Sequence, residues 1–189
     1  MSFVLSKVGT SRVFLTKKSA CGLRWDPHYH QLRFRELEKR LDAINAVPIR
    51  SYSDAIISGI TPLSGSDAYT EAGDGIAFIR SGDFNEDGSI NEGALIRIKP
   101  EVHWKLMRRS RLSSQDVLFA IVGATIGKVG IFTGGYEANI NQAICAVRFS
   151  KGVLPQFAHA FFLTKLGQDQ IERVKRPVAR ANINLQEIV

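Results

Sequence analysis

Cysteine is scarce: Cys21 and Cys145 are the only two in 189 residues. A disulfide scaffold or an all-cysteine zinc site needs a larger set, so both are excluded. Two such residues beside apolar or small neighbours read as reduced thiols in a cytosolic protein. Long apolar runs are missing as well. No stretch approaches the ~18 consecutive apolar residues of a membrane-spanning helix. Met1 to Gly22 interleaves Lys7, Arg12, Lys17 and Lys18 with apolar residues, which is not the continuous apolar core of a signal peptide. No repeat and no low-complexity tract is visible.

Catalytic signatures are also wanting. There is no serine in a GxSxG setting and no cysteine with a histidine near it in sequence. No Gly-rich loop opens a Rossmann helix, and no Asn-Pro-Pro-aromatic tetrapeptide or nuclease-like acidic pair with Glu-x-Lys occurs. The chain alone reads as non-catalytic. What is present is an ordinary globular balance, 44% apolar and 23% charged. A single domain of this length buries roughly 70% of its unfolded surface and needs no metal or disulfide to fold.

The net charge is +7, unevenly placed: +6 over residues 1–50, −7 over 51–96, +5 over 97–128 and +3 over 151–189. A basic chain suits a phosphate backbone, because each neutralised phosphate releases counterions. The plainer alternative is charge that serves solubility alone. If the partner is DNA, the acidic segment 51–96 has to face away from it or use its acids on cytosine amino groups.

The pattern predicts a helix over Tyr29–Ala46 with Phe34, Leu37, Leu41 and Ile44 as one stripe. That stripe is core packing or, alternatively, a docking face for a partner helix. Ser51–Pro62 reads as a strand end, a short helical turn and then a loop. Ile76–Arg80 and Leu95–Ile98 read as strands, with a helical turn over Glu101–Arg109 after Pro100. Val117–Val122 and Ile126–Thr133 form a hairpin, and Asn141–Phe149 is a further strand with Ala143, Cys145 and Val147 on one face. Val153–Leu166 reads as a helix buried on more than one side, and Gln168–Lys175 continues as helix. The order is α+β.

Three motifs invite specific chemistry. Asp83–Asn91 matches the first nine places of a calcium loop, but Ala94 stands where its bidentate Glu belongs. Gly123–Lys128 resembles a phosphate loop one residue short, with Val129 in place of the magnesium-binding hydroxyl. It reads better as a tight turn presenting Thr125 and Lys128. His28 and His30 share a face if extended, without a third ligand nearby, so packing explains them and no metal site is assigned. The basic clusters are more informative. Lys105, Arg108, Arg109 and Arg111 lie beside His103 and Trp104. Lys175, Arg176 and Arg180 precede Asn182 and Asn184. Arginine grips guanine bidentately and asparagine grips adenine.

Six segments in order then resemble the target recognition domain of the specificity (S) subunit of type I restriction–modification systems. Arg24-Trp25-Asp26-Pro27-His28-Tyr29 is close to the family's Asp-Pro-x-Tyr opening. Ile56–Pro62 resembles "sGxTP", and Phe78–Asp83 resembles "yIRxGDi". Asp116-Val117-Leu118 with Val122–Val129 resembles "GDvLi…vGaTiGKv". Asn141-Gln142 resembles "iNQ", and Asn182-Ile183-Asn184 with Ile188 resembles the exit "nIn…l". The likeness runs from about Arg24 to Val189. Two positions depart from it: Gln115 replaces the glycine before Asp116, and Pro177–Ala181 replaces a Gly-Ser/Ala-x-Gln stretch.

The resemblance implies an α+β domain with a twisted, partly barrel-like β-sheet, an N-terminal helix and C-terminal helices. It divides the chain into an N-terminal extension, 1–22, and a recognition domain, 23–189. Met1 then suits a natural start and the first half-site, and Val189 falls where a spacer helix is expected. The implied function is sequence-specific recognition of double-stranded DNA, one half of a bipartite target, by a cytoplasmic, non-catalytic subunit. Its partners would be a DNA methyltransferase (M) subunit and the restriction (R) subunit, without membrane contact. The resemblance implies no cofactor bound directly, with S-adenosylmethionine expected on the partner methyltransferase. The expected DNA-contacting residues are Arg80, Ser81, Lys105, Arg108, Arg109, Arg111, Thr125, Lys128, Lys175, Arg176, Arg180 and Asn182. The rival expectation is a protein–protein interaction module with incidental basic charge.

Overall fold

The computed structural model describes residues 3–8, 12–17, 24–71, 73–149, 152–176, 181–184 and 187, the first two segments as backbone strands only. Cys21, Ile188 and the stretch 177–180, Arg180 among it, lie outside the described residues. Strands β1 (Phe3–Val8) and β2 (Arg12–Lys17) pair as an antiparallel hairpin. The sequence pattern alone assigned no strands to this segment.

Helix α1 (Leu32–Ala43) is shorter than the apolar stripe suggests. Phe34 and Leu37 are buried, Leu41 is half-buried, and Ile44, just past the helix end, is exposed. A 3-10 turn over Ile49–Tyr52 precedes strand β3 (Ser53–Ser58), which corrects the expected order of strand end and then turn. Pro48 supports that turn by setting the backbone angle before it and cannot donate to a ladder. Then come β4 (Tyr69–Thr70), β5 (Ile76–Ile79), β6 (Ile96–Ile98), α2 (Pro100–Trp104), β7 (Val117–Ala120) and β8 (Val129–Ile131). The chain ends in β9 (Ala138–Ile140), β10 (Ile144–Phe149), α3 (Pro155–Leu163) and α4 (Lys165–Val174).

Strands β3 to β10 form two four-stranded sheets, neither of them closed. The first runs β3-β10-β7-β8, antiparallel throughout; the second runs β4-β6-β5-β9, with β5 and β9 parallel. The expected single strand over Asn141–Phe149 is therefore shortened to β10, and β9 just before it belongs to the other sheet. The Asn141 side-chain oxygen accepts from the Ala143 amide at 3.2 Å, a local bond that turns the chain between them.

The apolar run Val117–Ala120 is explained by burial on both faces. Leu118 and Ala120, with Ile144 and Ala146, pack against Ile79, Ala138 and Ile140 of the second sheet. Val117 and Phe119, with Cys145 and Val147, pack against Ala158 and Phe162 of α3. Burial lifts the Cys145 thiol to about 12, so it stays a protonated packing group. Phe78 and Ile98 face the other way and are covered by Met107. Helix α3 buries Ala158 and Phe162 but leaves Phe157 and Leu163 exposed. Its burial is one-sided, contrary to expectation: the first sheet and α4 pack on it and the loop at Gly88 lies against His159, while the face with Phe157 stays outside.

Two of the motif segments meet in space. Gly59 and Ile60 donate to the Ile144 and Ile140 carbonyls at 3.2 and 3.1 Å, and the Thr61 hydroxyl accepts from the Gln142 amide at 3.1 Å. A side chain at Gly59 would collide with the Asn141 carbonyl. Glycine is needed here for close backbone approach.

Candidate nucleic-acid interface

The basic loop after α2 is built on a buried polar anchor. Asn139, in the middle of β9, is fully buried. Its amide nitrogen donates to the Met107 carbonyl at 2.9 Å and to Ser110 Oγ at 3.0 Å, and its oxygen faces His103 Nδ1. Ser110 Oγ in turn donates to the Met107 carbonyl at 3.0 Å. With the Asn139 amide paired through both its nitrogen and its oxygen, this network fixes the backbone that carries it. His103 Nε2 has no hydrogen-bond partner among the described atoms, and the Glu137 carboxylate lies 3.6 Å away.

Above this anchor, Lys105, Arg108 and Arg109 are exposed, and none of them pairs with a described residue. Arg111 stacks its guanidinium 4.1 Å over the Trp104 ring and lies 3.9 Å from Glu137. The turn over Arg108–Ser110 packs against β3, one edge of the first sheet.

The other expected contacts lie elsewhere. Lys128, at the opposite edge beside β8, donates to the Phe84 carbonyl at 3.1 Å and sits 3.8 Å from Glu86. Three strand spacings, on the order of 14 Å, separate the two edges. The loop after Asp83 covers β8: Phe84 bridges Ile90, and the Ile131 amide donates to the Gly88 carbonyl at 3.3 Å. The segment that resembles a calcium loop is thus a hairpin loop. Its Asp83 carboxylate receives the Arg80 backbone amide at 2.8 Å and the Arg80 guanidinium at 2.9 and 3.2 Å. Ser81 is buried.

Thr125 Oγ1 donates back to the Val122 carbonyl at 3.4 Å within the turn that joins β7 to β8. No helix follows this turn, as the strand reading expected. The exit segment lies beside it. Asn182 bridges both Val122 and Arg176 through the backbone, and Ile183 donates to the Ile121 carbonyl at 2.9 Å. Thr125, Arg176 and Asn182 therefore gather at one end of β7, with Lys175 just before Arg176. Lys175 lies 3.4 Å from Glu172, and Arg176 lies 3.0 Å from Glu187.

Glu187 also receives Arg24, which bonds Asp26 at 2.6 Å and the Val174 carbonyl at 3.2 Å. The first and last motif segments are thus clasped together. Burial pushes the Glu187 and Asp26 carboxyls up, but the arginine hydrogen bonds outweigh it and hold both below their ordinary values. His28 and His30 are used for packing: Nε2 of each ring meets a carbonyl, of Glu172 at 2.7 Å and of Arg24 at 2.6 Å.

Sequence reasoning missed two groups. One is Asn139, whose only signal is a polar residue inside a short apolar strand. The other is the ion pair of fully buried Asp116 with Arg148, two bonds of 2.9 and 2.8 Å. Gln115 before it adopts φ +74°. The glycine-like turn is therefore kept without the glycine.

The fold is shared with solved specificity-subunit chains. One is a chain from a structure of type I R-M complex assembly and conformational transition, with a TM-score of 0.54 and 17% identity, covering 82% of this chain and 38% of that one. Another is the HsdS subunit from Thermoanaerobacter tengcongensis, with a TM-score of 0.50 and 18% identity, over 75% of this chain and 33% of that one. The S subunit from M. genitalium gives 0.50 and 15%, over 75% and 31%.

Among curated proteins, the chain is similar to the type I restriction enzyme EcoBI specificity subunit of Escherichia coli. Identity is 32% over 116 residues, 61% of this chain and 24% of that protein. The chain spans about a quarter of the length of that relative. No family model matches it. No described helix is long and apolar enough to cross a membrane.

Proposed function

We propose that this chain is a target recognition domain that reads one half of a bipartite duplex DNA site for a type I restriction–modification system. The observation that carries the reading is the 32% identity to a specificity subunit, found in a chain whose motif segments close on one another in space. Catalysis belongs to the partner methyltransferase and restriction subunits, and S-adenosylmethionine to the methyltransferase. The setting is cytoplasmic.

In this reading Lys105, Arg108 and Arg109 hold phosphates, which sets affinity and position, and Arg111 joins them with its charge partly offset by Glu137. Thr125 and Asn182, at the end of β7, are the nearest candidates for base edges. Ser81 would need to move outward to join them. Arg80, Lys128, Lys175 and Arg176 already face carboxylates or carbonyls, so each presents a partly cancelled charge to DNA. Arg180 is assigned by sequence alone.

Selection from a randomised duplex library at low ionic strength tests the reading. An enriched motif of a few base pairs, with log K falling by roughly 0.9 per phosphate contact against log salt, is the expected result. Absence of binding at low salt would replace it with the interaction-module reading. That second reading draws on the exposed Ile44 and Val47 beside a cleft lined by Leu41, Ile49, Ile171 and Val174.

A further inference from the structure

The loop that follows α2 carries more than cations. Trp104 is 50% exposed and Leu106 58% exposed, with Lys105 between them and Arg108, Arg109 and Arg111 close behind. Single exposed apolar side chains are normal on a protein surface. Two that flank a lysine in a cationic loop are not accounted for by solvation, and neither can fold inward. The space beneath is filled by Met107 and His103, both buried, and Asn139 holds the His103 ring, the Met107 carbonyl and the Ser110 hydroxyl. Trp104 is itself held from two sides. The His103 ring meets it edge-on with centroids 4.8 Å apart, and the Arg111 guanidinium covers it at 4.1 Å.

A rigid apolar tip surrounded by phosphate-holding cations suits one task on a duplex. The apolar groups enter between neighbouring base pairs, the stack opens, and the cations grip the backbone on either side of the bend. The nearby acids do not oppose this. Glu137 is engaged near Arg111 at 3.9 Å, and Glu101, one turn before Trp104 and Lys105, is a single carboxylate beside four cations.

We infer that Trp104 and Leu106 form a wedge that enters a base-pair step of the bound duplex and bends it. Part of the sequence preference then comes from how easily that step opens, at positions no side chain reads directly. The inference rests on the DNA-binding reading above.

The test compares an end-labelled duplex with the same duplex carrying a central mismatch, which is already partly unstacked. Affinity and end-to-end energy transfer are measured for the full chain. The intact protein should bind the mismatched duplex about tenfold more tightly, because the opening cost is reduced. Trp104→Ala with Leu106→Ala should bind both duplexes equally and abolish the bend. Arg108→Ala with Arg109→Ala should weaken both equally and keep the preference. The exposed Leu106→Ser serves as a second, milder wedge variant, and thermal melting confirms that each variant folds. Equal binding of both duplexes by the intact protein, or a preference and bend that survive in the wedge variants, would overturn the wedge and leave DNA binding intact. Failure of the intact protein to bind either duplex would overturn both.

Discussion

Along the β3 edge, Lys105, Arg108 and Arg109 stand exposed on a loop fastened from below by Asn139. Along the β8 edge, Lys128 is spent on the Phe84 carbonyl and lies close to Glu86. At the exit, Lys175 and Arg176 face Glu172 and Glu187. In sequence the first and the last are similar basic clusters, and Lys128 is a single cation. In space, the first is fastened by the buried Asn139 amide and its cations have no partner among the described residues, while the others use their charge to hold the fold. The contrast predicts that substitutions at the first should alter binding and substitutions at the others should alter stability.

The largest effect should come from the anchor. Asn139→Ala removes the partner of His103 Nδ1 and the donor to Ser110 Oγ at a buried site, and should cost about 3 kcal/mol in urea denaturation. A loss under about 1 kcal/mol would mean that the loop is held by other means. Lys128→Ala should cost about 1 kcal/mol, since a charge-assisted bond is removed at a partly exposed site. Its salt dependence of DNA binding should change less than its stability.

The Glu187 clasp should show itself in acid. Its folded carboxyl sits below the ordinary value of 4.5. The stabilisation is therefore complete above that pH and is lost as pH falls through the lower folded value. Melting temperatures of the wild type and Glu187→Gln should differ near neutrality and converge below pH 4.5. A constant gap across that range would show that the charge is not what holds the clasp. The smallest effect is expected at Gln115. With φ at +74°, Gln115→Gly relieves left-handed strain but adds freedom to the unfolded chain. A net gain of about 0.5 kcal/mol in denaturant midpoint experiments is expected.

Much of this fold was legible in the residues. The runs Ile76–Ile79 and Val117–Ala120 carry branched and aromatic content that only a buried strand explains, and Pro100 opens a helix as expected. The β9–β10 break was not legible, because Ala138–Phe149 stays compatible with strand throughout and only the Asn141 turn divides it. The one-sided burial of α3 was hidden because Phe157 and Leu163 are as apolar as Phe162, and hydrophobicity alone does not say which face is covered. At the candidate site, cations could be counted but their partners could not. Arg80 and Asp83 are neighbours in sequence, whereas Lys128 and Phe84, or Arg24 and Glu187, meet only after folding.

The central claim is that the exposed cations of the β3 edge face DNA phosphates. It is tested most directly by the salt dependence of duplex binding for the wild type and for Arg108→Ala with Arg109→Ala. The slope of log K against log salt should become shallower by roughly 2 in the double variant, about 0.9 for each phosphate no longer neutralised, with melting temperature unchanged. An unchanged slope in a folded variant would contradict it.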